Sequence, residues 1–158
     1  VTTDTEYALN RAGAADISAH LTRCDADFVP PLSTRVTISD YAGKIARCAT
    51  RFEAWDSGAL IGLVAAYCNN QDTGIAYITS VSVLPNCSAR GIASHLLRQC
   101  IEHAKASGMQ QLNLEVASDN LRAIRLYTKC GFTADAATAP FIRLTLCLKS
   151  GENHDQQT

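Results

Sequence analysis

The apolar positions of the chain change period several times, and each change marks an element. Residues 7–11 predict a first strand. Ile17, Leu21 and Cys24 then recur at i, i+4 and i+7, which makes one face of a helix from about Ala14. Residues 25–35, DADFVPPLSTR, hold the pair Pro30-Pro31, which suits neither a helix interior nor a strand interior, so a loop is expected. Ile38, Tyr41, Ile45 and Cys48 form the stripe of a second helix, capped by Thr37 or Ser39. Residues 51–55 alternate, Asp56-Ser57-Gly58 is a turn, and residues 60–68, LIGLVAAYC, are an almost unbroken apolar run. Together they predict a hairpin whose second strand is covered on both faces. After a polar turn at 69–74, residues 75–84 form the next strand, antiparallel to its neighbour.

The second half changes character. From Gly91, the residues Ile92, Leu96, Cys100, Ile101 and Ala104 keep helical spacing until Ser107-Gly108, where glycine is a natural stop. Leu112, Leu114 and Val116 then alternate with polar or small residues, so a strand follows. Strand, helix, strand in this order predicts a parallel pair joined by a right-handed crossover. Asp119 or Asn120 caps another helix that Gly131 ends, and residues 141–148 alternate again. The predicted order is β-α-α-β-β-β-α-β-α-β, with room for one more strand. That is an α/β (α+β) fold with a mixed, mostly antiparallel sheet of six to seven strands and helices on both faces.

The chain has 158 residues, the size of one domain, which we place at residues 1–150. Residues 151–158 are polar and are expected to form a disordered tail, and the first five residues to fray. A formal net charge of −1 excludes a general attraction to nucleic acid or an acidic membrane, so any anion site must be local. The seven cysteines show no C-x-x-C pair and no zinc spacing, so no metal is expected. With no secretory or transmembrane pattern in the sequence, a reduced cytoplasmic protein is the simplest expectation.

The candidate chemistry is concentrated in residues 81–97, VSVLPNCSARGIASHLL. A strand runs into a loop of small residues and then into a helix, whose first turn carries N–H groups without partners and suits a phosphate. Neither the P-loop pattern nor the three-glycine dinucleotide fingerprint is present. The segment resembles the acyl-CoA-binding motif of the GNAT superfamily of N-acetyltransferases, Gln/Arg-x-x-Gly-x-Gly/Ala after a strand ending in Val-x-Pro. Here that core is Ser88-Ala89-Arg90-Gly91-Ile92-Ala93 behind Val83-Leu84-Pro85, with Ser88 in place of Gln or Arg. A second block, residues 112–132, LNLEVASDNLRAIRLYTKCGF, is similar to the other half of the GNAT site. The likeness covers roughly residues 60–132.

The resemblance implies acetyl-CoA as cofactor and acetyl transfer to a small-molecule amine as activity. Backbone groups around Val81, Ser82 and Val83 would hold the pantetheine arm, and the N–H groups from Ala89 to Ser94 the pyrophosphate, with polar help from Ser88, Arg90 and Ser94. Gly91 would let the backbone approach the phosphate. Asn120 is either a cofactor contact or a helix cap, and both roles are compatible. Tyr127 takes the place of the family's tyrosine acid, although a packed core tyrosine fits the same stripe. No carboxylate lies on residues 75–84, which leaves Glu53 as the candidate base, against the plainer reading of a surface glutamate; Glu115 reads as a structural hydrogen-bond acceptor in preference to a base. Phe28, Pro31, Leu32 and Arg35, in the loop between the first two helices, are the candidate acceptor contacts, with an amino sugar favoured. Cys87 is a small loop residue or a nucleophile; the helix-borne His20, His95 and His103 stay unassigned. Two functions remain open, an N-acetyltransferase or a non-catalytic acyl-CoA sensor, and a homodimer is allowed but not required.

Overall fold

The computed structural model describes residues 5–138 and 140–148. The expected polar tail, residues 151–158, lies outside them. The strands are β1 (Glu6–Leu9), β2 (Thr50–Asp56), β3 (Ala59–Tyr67), β4 (Ile75–Val83), β5 (Gln111–Ala117), β6 (Thr133–Thr138) and β7 (Phe141–Cys147). The helices are α1 (Ala14–Cys24), α2 (Ile38–Cys48), α3 (Ile92–Ala106) and α4 (Leu121–Lys129). One seven-stranded sheet has the order β1-β2-β3-β4-β5-β7-β6. Every neighbouring pair is antiparallel except β4 and β5, the two strands that α3 connects.

The continuous apolar run of β3 is explained by its position. Leu60, Leu63 and Ala65 pack under α1 and α2, while Ile61, Val64 and Ala66 pack under α3. Helices therefore cover both faces, as expected. Gly62 lets α3 lie close to the sheet, since a Cβ there would stand 2.7 Å from Cγ2 of Ile92. Arg51 closes the C-terminal end of α2, its Nη1 donating to the carbonyls of Ala46 at 3.0 Å and Ala49 at 3.1 Å.

The connections depart from the expected pattern in two places. The predicted loop 85–90 is a 3-10 helix, Pro85–Arg90, and the loop between α1 and α2 contains two such turns, Asp25–Asp27 and Leu32–Thr34. Short local turns of this kind leave no long apolar period to read. The optional further strand is realised as β6, which precedes β7 in the chain and pairs with it at the edge of the sheet.

Candidate active site

The centre of the sheet is split. β4 and β5 pair only over Ile75–Tyr77 and Gln111–Asn113, after which the strands diverge. A bulge helps: Ala65 opposes Ser80 and Ala66 opposes Ile78, so Thr79 is an extra residue on β4. Tyr41 of α2 holds the bulge, its hydroxyl 2.7 Å from both the carbonyl and Oγ1 of Thr79. Beyond the split, the facing edges of both strands have peptide groups with no ladder partner, inside a sheet that is otherwise continuously paired. A cavity of about 630 Å³ fills the wedge and reaches the start of α3.

Of the cofactor residues expected from sequence, Val81, Ser82, Val83, Ser88, Gly91, Ala93, Ser94, Asn120 and Tyr127 all line this cavity. Gly91 is the N-cap of α3 with φ +73°, the left-handed region, and the space around it is open. Its backbone angle, then, is what calls for glycine. No side chain caps α3, so the N–H groups of Ile92, Ala93 and Ser94 are without helical partners at the cavity. The side chain of Ile92 is buried in the core and contributes backbone only. Ala89 belongs to the 3-10 turn that precedes Gly91. Arg90 corrects the expectation: its Nη1 pairs with Asp56 at 3.5 Å and the residue does not line the cavity. Ser88 donates to the carbonyl of Pro85 at 3.1 Å.

Asn120 serves as the cap of α4, its Oδ1 accepting from the N–H of Ala123 at 3.3 Å, while also lining the cavity. Tyr127, further along the same helix, is 7% exposed and rests edge-on against Phe132. Burial, with a smaller contribution from Cys130, pushes its phenol above the ordinary value near 10. It therefore stays protonated and able to donate.

Glu53 is corrected on both readings. It is fully buried, neither a surface glutamate nor a cavity residue. Its Oε1 accepts from the N–H of Arg11 at 2.9 Å and from Nε1 of Trp55 at 3.0 Å; its Oε2 accepts from the N–H of Ala12 at 2.9 Å and lies 3.5 Å from Nε of Arg51. The carboxylate ties the entry of α1 to β2, and both its oxygens are spent. The carboxylate that does line the cavity is Glu115, exposed on β5, together with Asp27. The signal was present in the alternation: Leu114 and Val116 point into the α3 side, so Glu115 must point to the other.

On the acceptor side, Phe28, Leu32 and Arg35 line the cavity and Pro31 does not. Arg35 sits over the ring of Phe141 at 5.6 Å. Ser80 lines the cavity but is only 6% exposed, its hydroxyl buried beside Tyr41. Cys87 is buried in the core and does not line the cavity. His95 stacks on Tyr7 and His103 meets Phe52 edge-on, both away from the wedge. His20 is the histidine that sequence reasoning missed: it is 2% exposed on α1 and bonds to Ser82. No group of metal-binding side chains is present among the described residues, and none of the described helices is long and apolar enough to cross a membrane.

Similar folds are known. The N-acetyltransferase of Staphylococcus aureus Mu50 superposes with a TM-score of 0.71 at 19% identity, over 92% of this chain and 99% of that one. The ribosomal-protein-S18-alanine N-acetyltransferase of Escherichia coli gives 0.69 at 18%, over 90% and 94%. In sequence, a protein of Methanocaldococcus jannaschii named as an uncharacterized N-acetyltransferase is 30% identical over 92 residues, 56% of this chain and 41% of the relative. The chain thus spans less than half the length of the curated relatives it matches. The sequence model of the acetyltransferase (GNAT) family matches residues 16–132, from α1 through the split strands to Phe132, and the chain belongs to that family.

Proposed function

We propose that this protein is an N-acetyltransferase that moves an acetyl group from acetyl-CoA to the primary amine of a small molecule, directly within a ternary complex. The observation that carries this reading is the parting of β4 and β5 beside the uncapped start of α3, with Tyr127 in the same cavity. The unpaired strand edges suit the amides of a pantetheine arm, as an added strand would pair. The free N–H groups of Ile92, Ala93 and Ser94 suit a pyrophosphate at a helix N-terminus. Acetyl-CoA, when bound, supplies the acetyl thioester and a thiolate leaving group.

The residues divide the proton work. Glu115 takes a proton from the amine as the N–C bond forms, either directly or through a water. Tyr127 gives a proton to the departing sulfur as the C–S bond breaks, and regains one from solvent. The net reaction moves one proton from amine to thiol. A phenol kept protonated by burial is matched to that task.

For the acceptor, the hydroxyls of Ser80 and Ser82, the carboxylates of Asp27 and Glu115, and the rings of Phe28, Tyr77 and Phe141 support a small hydroxylated amine. An amino sugar fits that set best, because its ring stacks on an aromatic face while its hydroxyls find polar partners. Calorimetry of acetyl-CoA binding, then thiol release against glucosamine, spermidine, propylamine and alanine amide, tests the reading. Tyr127→Phe is expected to lower kcat while leaving the acetyl-CoA Kd unchanged. Binding without release to any amine would instead support an acyl-CoA sensor.

A further inference from the structure

The buried stripe of α1 contains one polar side chain, and its hydrogen bonds run towards the cavity. His20 lies between Ile17 and Leu21, with Nδ1 2.9 Å from the carbonyl oxygen of Leu60 and Nε2 2.8 Å from Oγ of Ser82. A carbonyl can only accept, so Nδ1 carries the ring proton. Burial pushes the His20 pKa down to about 4, so the ring is neutral and Nε2 offers a bare lone pair. Ser82 must then give its single proton to Nε2. The thiol of Cys24, with Sγ 3.7 Å from Nε2, is itself pushed up to about 12 by burial and stays protonated, so it does not reverse this polarity.

A serine hydroxyl normally rotates and can donate or accept. Ser82, which lines the cavity, has lost that freedom, and its oxygen can only accept. This is the property a nucleophilic amine requires. A neutral primary amine has two N–H donors and one lone pair, and a hydroxyl free to donate would hydrogen-bond the lone pair and blunt the nucleophile. An oxygen that only accepts takes an N–H and leaves the lone pair to the thioester. We propose that Ser82, locked as an acceptor by His20, binds an N–H of the acceptor amine and aims its lone pair, His20 acting as the positioning residue. Ser80 lies on the same face of β4, its hydroxyl buried beside Tyr41. As the N–C bond forms, the nitrogen gains positive charge and its N–H···O bond strengthens, so the contact acts on the transition state. This assignment rests on the acetyl-transfer reading above.

The test has a structural arm and a kinetic arm. Long-range proton–nitrogen spectra of histidine-labelled protein are expected to show His20 in the Nδ1–H form at pH 7, with its Nε2 signal shifted in Ser82→Ala. With the amine of the panel that is acetylated, Ser82→Ala is expected to lower kcat/KM for the amine roughly tenfold to a hundredfold, the loss of one hydrogen bond to a charged group, with the acetyl-CoA Kd unchanged. His20→Leu, which frees the hydroxyl, is expected to match that loss, the double variant to lose no more than either single one, and His20→Gln, which restores an acceptor, to recover most of it. Ser82→Ala removes a single oxygen, so it stays informative if a His20 variant does not fold. An Nε2–H ring, wild-type transfer by Ser82→Ala, or additive losses overturns the proposal alone. A wild-type protein that binds acetyl-CoA and acetylates no amine overturns the acetyl-transfer reading, and the assignment of Ser82 with it.

Discussion

Acidification should destabilise this protein through His20 before most of its carboxylates are protonated. The ring is 2% exposed and its pKa is pushed from 6.5 down to about 4, first by burial and then by Arg23, against the opposing hydrogen bonds to Leu60 and Ser82. Above pH 6.5 the ring is neutral in both folded and unfolded chains and stability is complete. Between 6.5 and about 4 the unfolded chain takes a proton that the folded one refuses, so stability falls with pH. Below about 4 both states are protonated and this contribution levels off. The gap between the two values, at ~1.4 kcal/mol for each pH unit, comes to about 3 kcal/mol. That is a large part of the roughly 5–15 kcal/mol that holds an ordinary domain together. Asp25, whose pKa is lowered by its bonds to Ser33, adds to the loss only at lower pH. Urea unfolding of wild type and His20→Gln from pH 7 to pH 4 isolates the effect, because every other group cancels in the difference. The wild type should lose about 3 kcal/mol more than the variant across that range. Parallel profiles would refute a buried, neutral His20.

Three substitutions probe the rest of the site. Glu53→Gln should cost about 1–3 kcal/mol in chemical denaturation, since buried donors lose part of a charged acceptor, yet leave the acetyl-transfer rate near wild type; a large rate loss in folded protein would restore Glu53 as a base. Glu115→Gln should lower kcat roughly 10²–10⁴-fold, the usual worth of a general base. Gly91→Glu forces a side chain into left-handed backbone, at about 1–2 kcal/mol, and sets a carboxylate against the phosphate at the start of α3; calorimetry should show acetyl-CoA binding abolished.

The sequence carried the frame further than the site. The strand, loop and helix around Gly91 were legible because a period-2 run, a break in small residues and a period-3.6 run are local patterns, and the parallel crossover comes from their order. Asn120 and Tyr127 came from the resemblance of residues 112–132 to the GNAT pattern, and both line the cavity. Glu53 was not legible. Its neighbours in sequence suggest a half-exposed strand, and only the arrival of Arg11, Ala12 and Trp55 around it, two of them some forty residues away, makes it a buried structural anion. His20 failed for a related reason. A histidine between Ile17 and Leu21 reads as a packed residue, and its partners Leu60 and Ser82 lie forty and more residues along the chain. Arg90 shows the opposite case, a cation that sits in the phosphate motif but is drawn to Asp56 at the end of β2.

The placement of these groups also bears on the order of events. In the proposed reaction β4 would hold the donor along its edge, through the peptide groups left unpaired beyond Tyr77, and the acceptor on one of its faces, through Ser80 and Ser82. Edge and face belong to the same strand, so both substrates can be held within bonding distance at once. An acetylated enzyme would need a nucleophile in the cavity, and no cysteine lines it among the described residues. Ser82 with His20 resembles a nucleophile and base, but burial holds the His20 pKa at about 4, and Nδ1 faces a neutral carbonyl in place of a carboxylate. A neutral carbonyl stabilises an imidazolium less than a carboxylate does, so the pair is a poor activator of a serine oxygen. Initial-rate plots at several amine concentrations should therefore intersect, as a ternary complex requires. Parallel lines, or an acetyl ester on Ser82 detected by mass spectrometry after mixing with acetyl-CoA alone, would show that the chain works through a covalent intermediate and that His20 is a base after all.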